Sequence, residues 1–568
     1  MQGMDDRVPA PSPAPAGGNP RAAASLVVVR DAAVGIEVLL LRRAERGDHN
    51  SGAWVFPGGI VEPGDRECHA CCAGLDDVQA SARLAVPQGG LDYYVAALRE
   101  CFEECGLLLA TTESGAALLG AEFADWRGPL HRGERRLADL CAQHRLKLAA
   151  GDLAYLSHWL TPIGRPKRFD TRFFVAAAPP GQTASHDDNE MVEQLWLRPA
   201  DALARGGALK LMTPTVKTLD VLARFDSVAG LMAWVRSPRE IALVMPWIGV
   251  GSQGVRPVTP DEPAWAELGR IDPQGHGTGS YEIRPGEPVV LSPRVIRVSA
   301  NNGSVMTGPG TNTYLVGGGP RNEWAVIDPG PLDPEHVDNV LAAVPGTVRW
   351  IFATHTHTDH SPATARLAER TGAVVHGRIA AHPEWQDKSF APAVLLSGGE
   401  RFVIDEGVTL RAIHTPGHAS NHVCYLLEEE KTLFTGDHVM QLSTVVINPP
   451  DGDMAAYLGS LRELLGLDLD WLAPGHGFLM AQPARALQAI IDHRLRREAK
   501  VVAALRDLGP ATADTLLPQV YDDVPPRMHA MAMRSLKAHL FKLRDEARAA
   551  EQAGQWRLLA EAQSAAKL

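Results

Sequence analysis

Short apolar runs alternate with longer segments of helical spacing from Ala22 to about Phe225, and this pattern predicts a mixed α/β unit. Residues 25–30, 36–42 and 173–178 read as strands, and 93–105 carries the apolar period of a helix. Residues 249–288 lose that periodicity and are rich in Gly, Pro and Ser, which predicts an irregular connector with a domain boundary in it. From Val289 to about Gln482 the pattern changes again. Brief β-rich runs end in polar loops at Ile327-Asp328, 351–354, 410–414, 432–437 and 471–476, as expected of strands that deliver side chains to an active site. Beyond Pro483 the spacing is helical, with breaks at Gly509-Pro510 and Pro525-Pro526 and a last strand-like run at 555–559. No internal repeat is present.

Composition narrows the class. A chain of 568 residues predicts three or four domains, and 45% apolar with 21% charged residues excludes wholesale disorder. Fifty-five basic against 67 acidic side chains, a formal charge of -12, argue against a dedicated polyanion binder. Seven cysteines in so long a chain are not a disulfide framework; the odd count fits reduced thiols and a cytoplasmic protein. Residues 1–21 open with Asp5 and Asp6 and a Pro/Ala/Gly run, predicting a disordered tail without a signal-peptide pattern. The longest membrane-like run, 241–250, is too short to span and is broken by Pro246, so no membrane partner is expected.

Two constellations carry chemistry. The first reads Phe56-Pro57-Gly58-Gly59, then Glu62-Pro63-Gly64-Asp65, and later Arg99-Glu100-Cys101-Phe102-Glu103-Glu104-Cys105-Gly106. On a helix Glu100, Glu103 and Glu104 share one face, where three like charges repel unless a cation joins them. Their hard oxygens suit Mg²⁺ or Mn²⁺, and Gly58 and Gly59 let the backbone approach metal and phosphates closely. These segments resemble the Nudix box of pyrophosphohydrolases, split by an insertion of about 26 residues from near Arg66 to near Leu91. The run is similar to the subgroup of the nineteenth human Nudix member, which implies coenzyme A or acyl-CoA hydrolysis; 166–174, Glu190, Glu193 and Trp196 extend the likeness. Of that subgroup's upstream CoA signature, Arg43, Gly52 and Phe56 are present, and Asp48 stands at its second arginine position. Within the insert, Cys68-His69-Ala70-Cys71-Cys72 has the composition of a metal or redox cluster, but no second cluster follows at zinc-ribbon spacing; thiols packing a loop is the expectation.

The second constellation is Thr354-His355-Thr356-His357-Thr358-Asp359-His360, between an apolar strand and a helix expected near Pro362. A regular strand cannot aim so many ligands at one ion, but a tight loop can direct alternate residues to two adjacent metals. The run resembles the His-x-His-x-Asp-His motif of the metallo-β-lactamase fold. The partners that this family requires follow in order as Gly417-His418, Gly436-Asp437 and Gly475-His476. The resemblance implies that His355, His357 and His418 hold one Zn²⁺, that Asp359, His360 and His476 hold the other, that Asp437 bridges them, and that hydroxide is the nucleophile. Asp328 is expected to support the site from behind, because a metal-bound imidazole needs a partner for its other nitrogen. His414, His422 and His438 are expected to be bystanders.

Residues 308–314, His493-Arg494 and Arg497-Glu498 are similar to a narrower group, the β-lactamase-like endoribonucleases with a C-terminal winged helix; 527–544 would be the recognition-type helix. The expected architecture is therefore α/β and α+β multidomain. A Nudix α/β/α sandwich (22–225), a connector (226–288), a metallo-β-lactamase αββα sandwich (289–482) and a winged-helix-like tail (483–568) follow the N-terminal tail. The expected function is metal-dependent hydrolysis of an ester, thioester or phosphodiester at a dinuclear zinc site, fused to a Mg²⁺-dependent Nudix pyrophosphohydrolase. Its substrates would be an acyl thioester, CoA or a nucleotide derivative. Two alternatives stand beside this: an RNA-processing enzyme that docks RNA through the tail, and a Nudix domain that senses a ligand without turning it over.

Overall fold

A computed structural model describes residues 18–45, 51–441 and 443–559, apart from the side chain of Trp385. Most of the expected tail, and position Asp48, lie outside the described residues. The chain forms two compact units, Met1–Ile248 with Gln274–His276, and Gly249–Pro273 with Gly277–Leu568.

The first unit is built on an eight-stranded mixed sheet. Its central strand Arg21–Asp31 pairs in parallel with Phe169–Ala177 and antiparallel with Ile36–Arg43 and Gly58–Ile60. Seven consecutive residues of that strand are buried because both faces are covered. Ala24, Leu26 and Val28 meet the helix Gly90–Cys105, whereas Val27 and Val29 meet Leu219, Leu222, Leu231 and Val235 from the other side. Two of those last residues lie on the helix Val228–Arg236, which the sequence pattern had left in the connector. Ser227 caps it by accepting from Gly230 N, and burying a Leu or Val side chain contributes about 1.5–3 kcal/mol. The insert is ordered: Asp77–Leu84 is a helix packed on Gly90–Cys105, so close that a Cβ at Gly90 would stand 2.3 Å from Ser81 N.

In the second unit a seven-stranded and a six-stranded sheet pack face to face. Tyr314, Phe352, Tyr425 and Phe434 fill the space between them. The helices Pro334–Ala343 and Thr364–Thr371 cover the outer face of one sheet, while Met454–Leu465 and the start of Pro483–Leu508 cover the other. The expected αββα sandwich is therefore the observed one. Part of the expected connector is an ordered piece of this unit: Glu267, on the short helix Trp265–Ile271, bonds the buried Arg297 at 2.6 and 2.9 Å and accepts from Leu479 N at 2.8 Å. The long helix Pro483–Leu508 runs on into a second core. There Val501 and Leu505 meet Leu516, Val520, Leu536, Leu540 and Trp556, forming the winged helix with the three-stranded sheet of 511–512, 549–552 and 555–558. Among the described residues no helix is long and apolar enough to cross a membrane.

Candidate active sites

Four strands from the two sheets of the second unit end at one rim. Thr347–Phe352 leads into the loop with His355, His357, Asp359 and His360; Val408–His414 precedes His418, Thr432–Gly436 precedes Asp437, and Trp471–Pro474 precedes His476. The loops gather these residues into two donor groups that share Asp437: His355, His357 and His418 in one, Asp359, His360 and His476 in the other. In the first, His355 Nε2 and His418 Nε2 stand 2.9 and 3.1 Å from His357 Nδ1, and Asp437 Oδ2 is 3.7 Å from His418 Nε2. In the second, His360 Nε2 lies 3.3 Å from both Asp359 Oδ2 and Asp437 Oδ1, and His476 Nε2 lies 3.3 and 3.2 Å from the same two oxygens. A tetrahedral ion with bonds of about 2.0–2.1 Å would set its donors about 3.3 Å apart, so these separations are those of the edges of a coordination shell. His360 Nε2 and Asp437 Oδ1 are buried with no hydrogen-bond partner, which fits atoms reserved for a cation.

The electrostatics of the first group agree with that reading. In the second, burial is outweighed by Asp359 and Asp437, which hold His360 well above its ordinary range and His476 at about 9, so an ion there would take the place of those protons. Burial, reinforced by the neighbouring histidines, pushes His355 well below its ordinary range and His357 to about 3, so both are neutral donors at pH 7. Burial opposes ionisation of Asp359 and Asp437 as well, but charge from His360 and, for Asp437, from His476 outweighs it, and both carboxyls are held low. The far ring nitrogens are also occupied. Asp328, in the left-handed backbone region at φ +53°, accepts from Thr354 N at 2.7 Å, Thr354 Oγ1 at 2.8 Å and His360 Nδ1 at 2.9 Å. Thr354 Oγ1 in turn lies 3.0 Å from His355 Nδ1, so a single carboxylate orients one imidazole of each group. Val446 O holds His418 Nδ1 at 2.8 Å, and Gly310 O is 3.2 Å from His476 Nδ1.

Sequence reasoning missed the clamp around His476. Asn312 Nδ2 donates to Pro474 O and Gly477 O, Tyr314 Oη donates to Pro474 O, and Asn312 N donates to Gly475 O, pinning the His476 loop to the opposite sheet. Thr311 Oγ1 reaches Asp359 Oδ2 at 3.3 Å. The three histidines read as bystanders stand outside both donor groups. His414 contacts Ser420 O, His422 contacts Thr415 Oγ1 while its ring stacks on His355, and His438 packs on Tyr457.

In the first unit the two halves of the split box meet. Arg99 grips Asp65 at 2.8 and 3.3 Å and Ile60 O at 2.9 Å, closing the box across the insert. Glu100 and Glu103 each place one oxygen on Arg99 Nη1, at 2.9 and 3.4 Å, and Glu104 Oε2 accepts from Gly58 N at 2.8 Å. A Cβ on Gly58 would fall 2.5 Å from Ala24 O, so that position requires glycine, whereas one on Gly59 would fall 2.2 Å from Glu100 Oε1 and would displace that carboxylate. Among the described residues these carboxylates do not converge as tightly as the His/Asp groups do. Three largely buried carboxyls, of Asp65, Glu100 and Glu103, nevertheless face one guanidinium, with the buried Glu104 beside them. Burial, partly offset by Arg99, drives Glu103 up to about 8 and raises Glu100, and burial with the Glu100 charge raises Glu104; the donor chemistry thus fits a hard divalent cation. The insert cysteines form no metal-holding group among the described residues: Cys71 and Cys72 Sγ donate to Cys68 O.

In the tail, Arg534, Lys537 and Arg544 face solvent on the helix His529–Asp545, but Lys542 turns inward to Glu498 at 2.8 Å and to Glu546 at 2.8 Å.

Residues 306–476 match the metallo-beta-lactamase superfamily, 69–211 the NUDT19 Nudix domain, and 512–556 the beta-lactamase associated winged helix domain. The chain belongs to the metallo-β-lactamase superfamily; it is a hydrolase in which that domain is joined to a Nudix domain and a winged helix, and such domains use divalent metal and small-molecule substrates. It is similar to the atrochrysone carboxyl ACP thioesterase of Aspergillus chevalieri, 32% identical over 253 residues that cover 43% of this chain and 78% of that protein. It is similar also to the beta-lactamase-like protein 2 homologs of Drosophila melanogaster (33% identical, 45% of this chain, 89% of that protein) and Caenorhabditis elegans (30%, 45%, 86%).

Proposed function

We propose that the second unit is a dinuclear zinc hydrolase acting on a thioester. The observation that carries this reading is the pair of donor groups sharing Asp437, with carboxylate oxygens 3.2–3.3 Å from imidazole nitrogens. His355, His357 and His418 would hold one ion, Asp359, His360 and His476 the other, and Asp437 both. Mainly imidazole donors with two carboxylates favour zinc among the available divalent metals. When bound, the ions supply Lewis acidity and a nucleophilic water at neutral pH. Asp359 is the more exposed of the two carboxylate donors, its side chain 24% accessible and steadied by Thr311, so it is the group placed to orient that water. Asp328 and the Asn312 clamp keep the imidazoles aimed while substrate enters and product leaves. The thioesterase relative in Aspergillus chevalieri supports the leaving-group class. The RNA reading has thinner support, because Lys542, one of the four basic groups on the helix that would dock RNA, is committed to Glu498.

For the first unit we infer a Mg²⁺- or Mn²⁺-dependent pyrophosphohydrolase held by Glu100, Glu103 and Glu104, with Gly58 and Gly59 lining the approach and a CoA-type substrate. Closure of the box by Asp65 and Arg99 supports this over a decayed site. The experiment is thiol release from a panel of acyl thioesters by protein stripped of metal and reloaded with zinc. Turnover that appears with about two ions per chain is expected; a fully loaded protein inert toward every thioester but active on RNA would replace the thioesterase reading.

A further inference from the structure

Five arginines are buried among the described residues, and four are matched to a carboxylate: Arg99 to Asp65, Arg172 to Asp170, Arg297 to Glu267 and Arg497 to Asp523. The fifth, Arg494, is 2% exposed and is paired with no acidic group among the described residues. It donates to Val445 O and lies 5.5 Å from the centre of the Tyr457 ring, and its Nε has no hydrogen-bond partner. A buried cation without a counter-charge is costly, and an anion arriving from outside would offset that cost.

Arg494 lines a cavity of about 180 Å³ together with Ser443, Thr444, Val445, Tyr457 and His493. Burial and then the charge of Arg494 hold His493 at about 4, so it is neutral at pH 7 and the permanent charge of the cavity is that of Arg494. The cavity shares its wall with the candidate metal centre. The carbonyl of Val446, next to Val445, holds His418 Nδ1, and the Tyr457 backbone lies so close to Gly417 that a Cβ there would stand 2.3 Å from Tyr457 Cα.

We propose that this cavity receives an oxyanionic group of the substrate, a carboxylate or a phosphate monoester, with Arg494 as its counter-charge and Ser443, Thr444 and His493 as hydrogen-bonding partners. The proposal rests on the thioester reading and deepens it. Guanidinium forks bind carboxylate and phosphate alike, so the geometry names the shared chemistry and the substrate panel distinguishes its source.

Zinc-loaded protein is assayed with butyryl and succinyl thioesters of N-acetylcysteamine, and with butyryl thioesters of pantetheine and of pantetheine 4′-phosphate. At least about a tenfold preference in kcat/KM is expected for one anionic member over its neutral counterpart, carried by KM. Preference for the succinyl ester assigns a carboxylate on the acyl side; preference for the phosphorylated thiol assigns a phosphate on the leaving side. Arg494→Met should bring that ratio within about twofold of unity, with Arg494→Lys retaining part of it. Ratios equal in parent and Arg494→Met overturn the proposal. Should Arg494→Met not fold, Ser443→Ala with Thr444→Val is expected to lower the ratio about threefold, and an unchanged ratio counts against the cavity. If no thioester turns over, the thioester reading fails and the cavity is judged by inorganic phosphate and acetate. A rise in the melting temperature of the parent that is smaller in Arg494→Lys supports it, whereas no rise, or equal rises in both, overturns it.

Discussion

Replacing Asp328 by Asn isolates what the carboxylate behind the two His/Asp groups contributes. The change preserves size, and Asn tolerates the left-handed backbone at φ +53°, so the loop geometry should persist. Three donors converge on this carboxylate: Thr354 N on Oδ1, and Thr354 Oγ1 with His360 Nδ1 on Oδ2. An amide has one oxygen. If its NH₂ takes the Oδ2 position, the hydroxyl of Thr354 can rotate to accept, but the His360 N–H then faces another donor. If it takes the Oδ1 position, the Thr354 N–H does. Either way one buried donor loses its partner, at a cost of about 1–3 kcal/mol, or about 5- to 150-fold in an equilibrium constant. That range overlaps the 10–100-fold loss of metal affinity typical of removing a ligand's outer partner. Asp328→Asn should therefore weaken zinc at the Asp359/His360/Asp437/His476 group by about 10–100-fold, measured by competition with a chromophoric chelator, while circular dichroism stays that of the parent. Affinity for both ions within about twofold of the parent would refute the orienting role.

Four further outcomes are expected. Asp65→Ala leaves Arg99 buried without its main partner, and denaturant titration should show the first unit destabilised by about 3–5 kcal/mol. Gly59→Ala forces Glu100 Oε1 from a contact of 2.2 Å, so Mg²⁺-dependent turnover should fall at least about tenfold with little change in unfolding, since the carboxylate can swing aside but not stay on the metal. At Glu498, burial is outweighed by His539, Lys542 and Arg548, which hold the carboxyl at about 2; because its folded value lies below the unfolded one, its stabilisation is complete above about pH 4.5 and fades as pH drops toward 2. Glu498→Gln should accordingly destabilise the winged helix at pH 7 and flatten its acid unfolding profile. Finally, Glu103→Gln with Glu104→Gln should abolish the Nudix activity and leave zinc-dependent turnover within about threefold of the parent; loss of both would favour a Nudix domain that gates the second unit.

The His/Asp loops were legible because each is a short run at the end of an apolar strand and because their residues, in order, resemble the metallo-β-lactamase motif: the hydrophobic pattern locates the strand, and the resemblance picks out the polar residues after it. Asp328 was legible for the same reason. Thr354, Thr311 and Asn312 were not, since their roles depend on which loop lies opposite, and that register is set by pairing across two sheets. The Asp65–Arg99 pair spans an insert whose helix had to fold before the contact could be drawn. The helices Val228–Arg236 and Trp265–Ile271 are short and lie in or beside Gly/Pro-rich sequence, so their period was too brief to stand out, although each buries side chains in its unit. In the tail the helical period was plain but not its rotation, which alone decides that Lys542 meets Glu498 rather than solvent.

The central claim is that seven residues of one chain hold two metal ions side by side. Diffraction from crystals of zinc-loaded protein at the zinc absorption edge tests it directly. The account predicts two anomalous peaks about 3.5–4 Å apart, one among His355, His357 and His418, the other among Asp359, His360 and His476, with Asp437 reaching both. A single peak, or two peaks lying elsewhere in the chain, would contradict it.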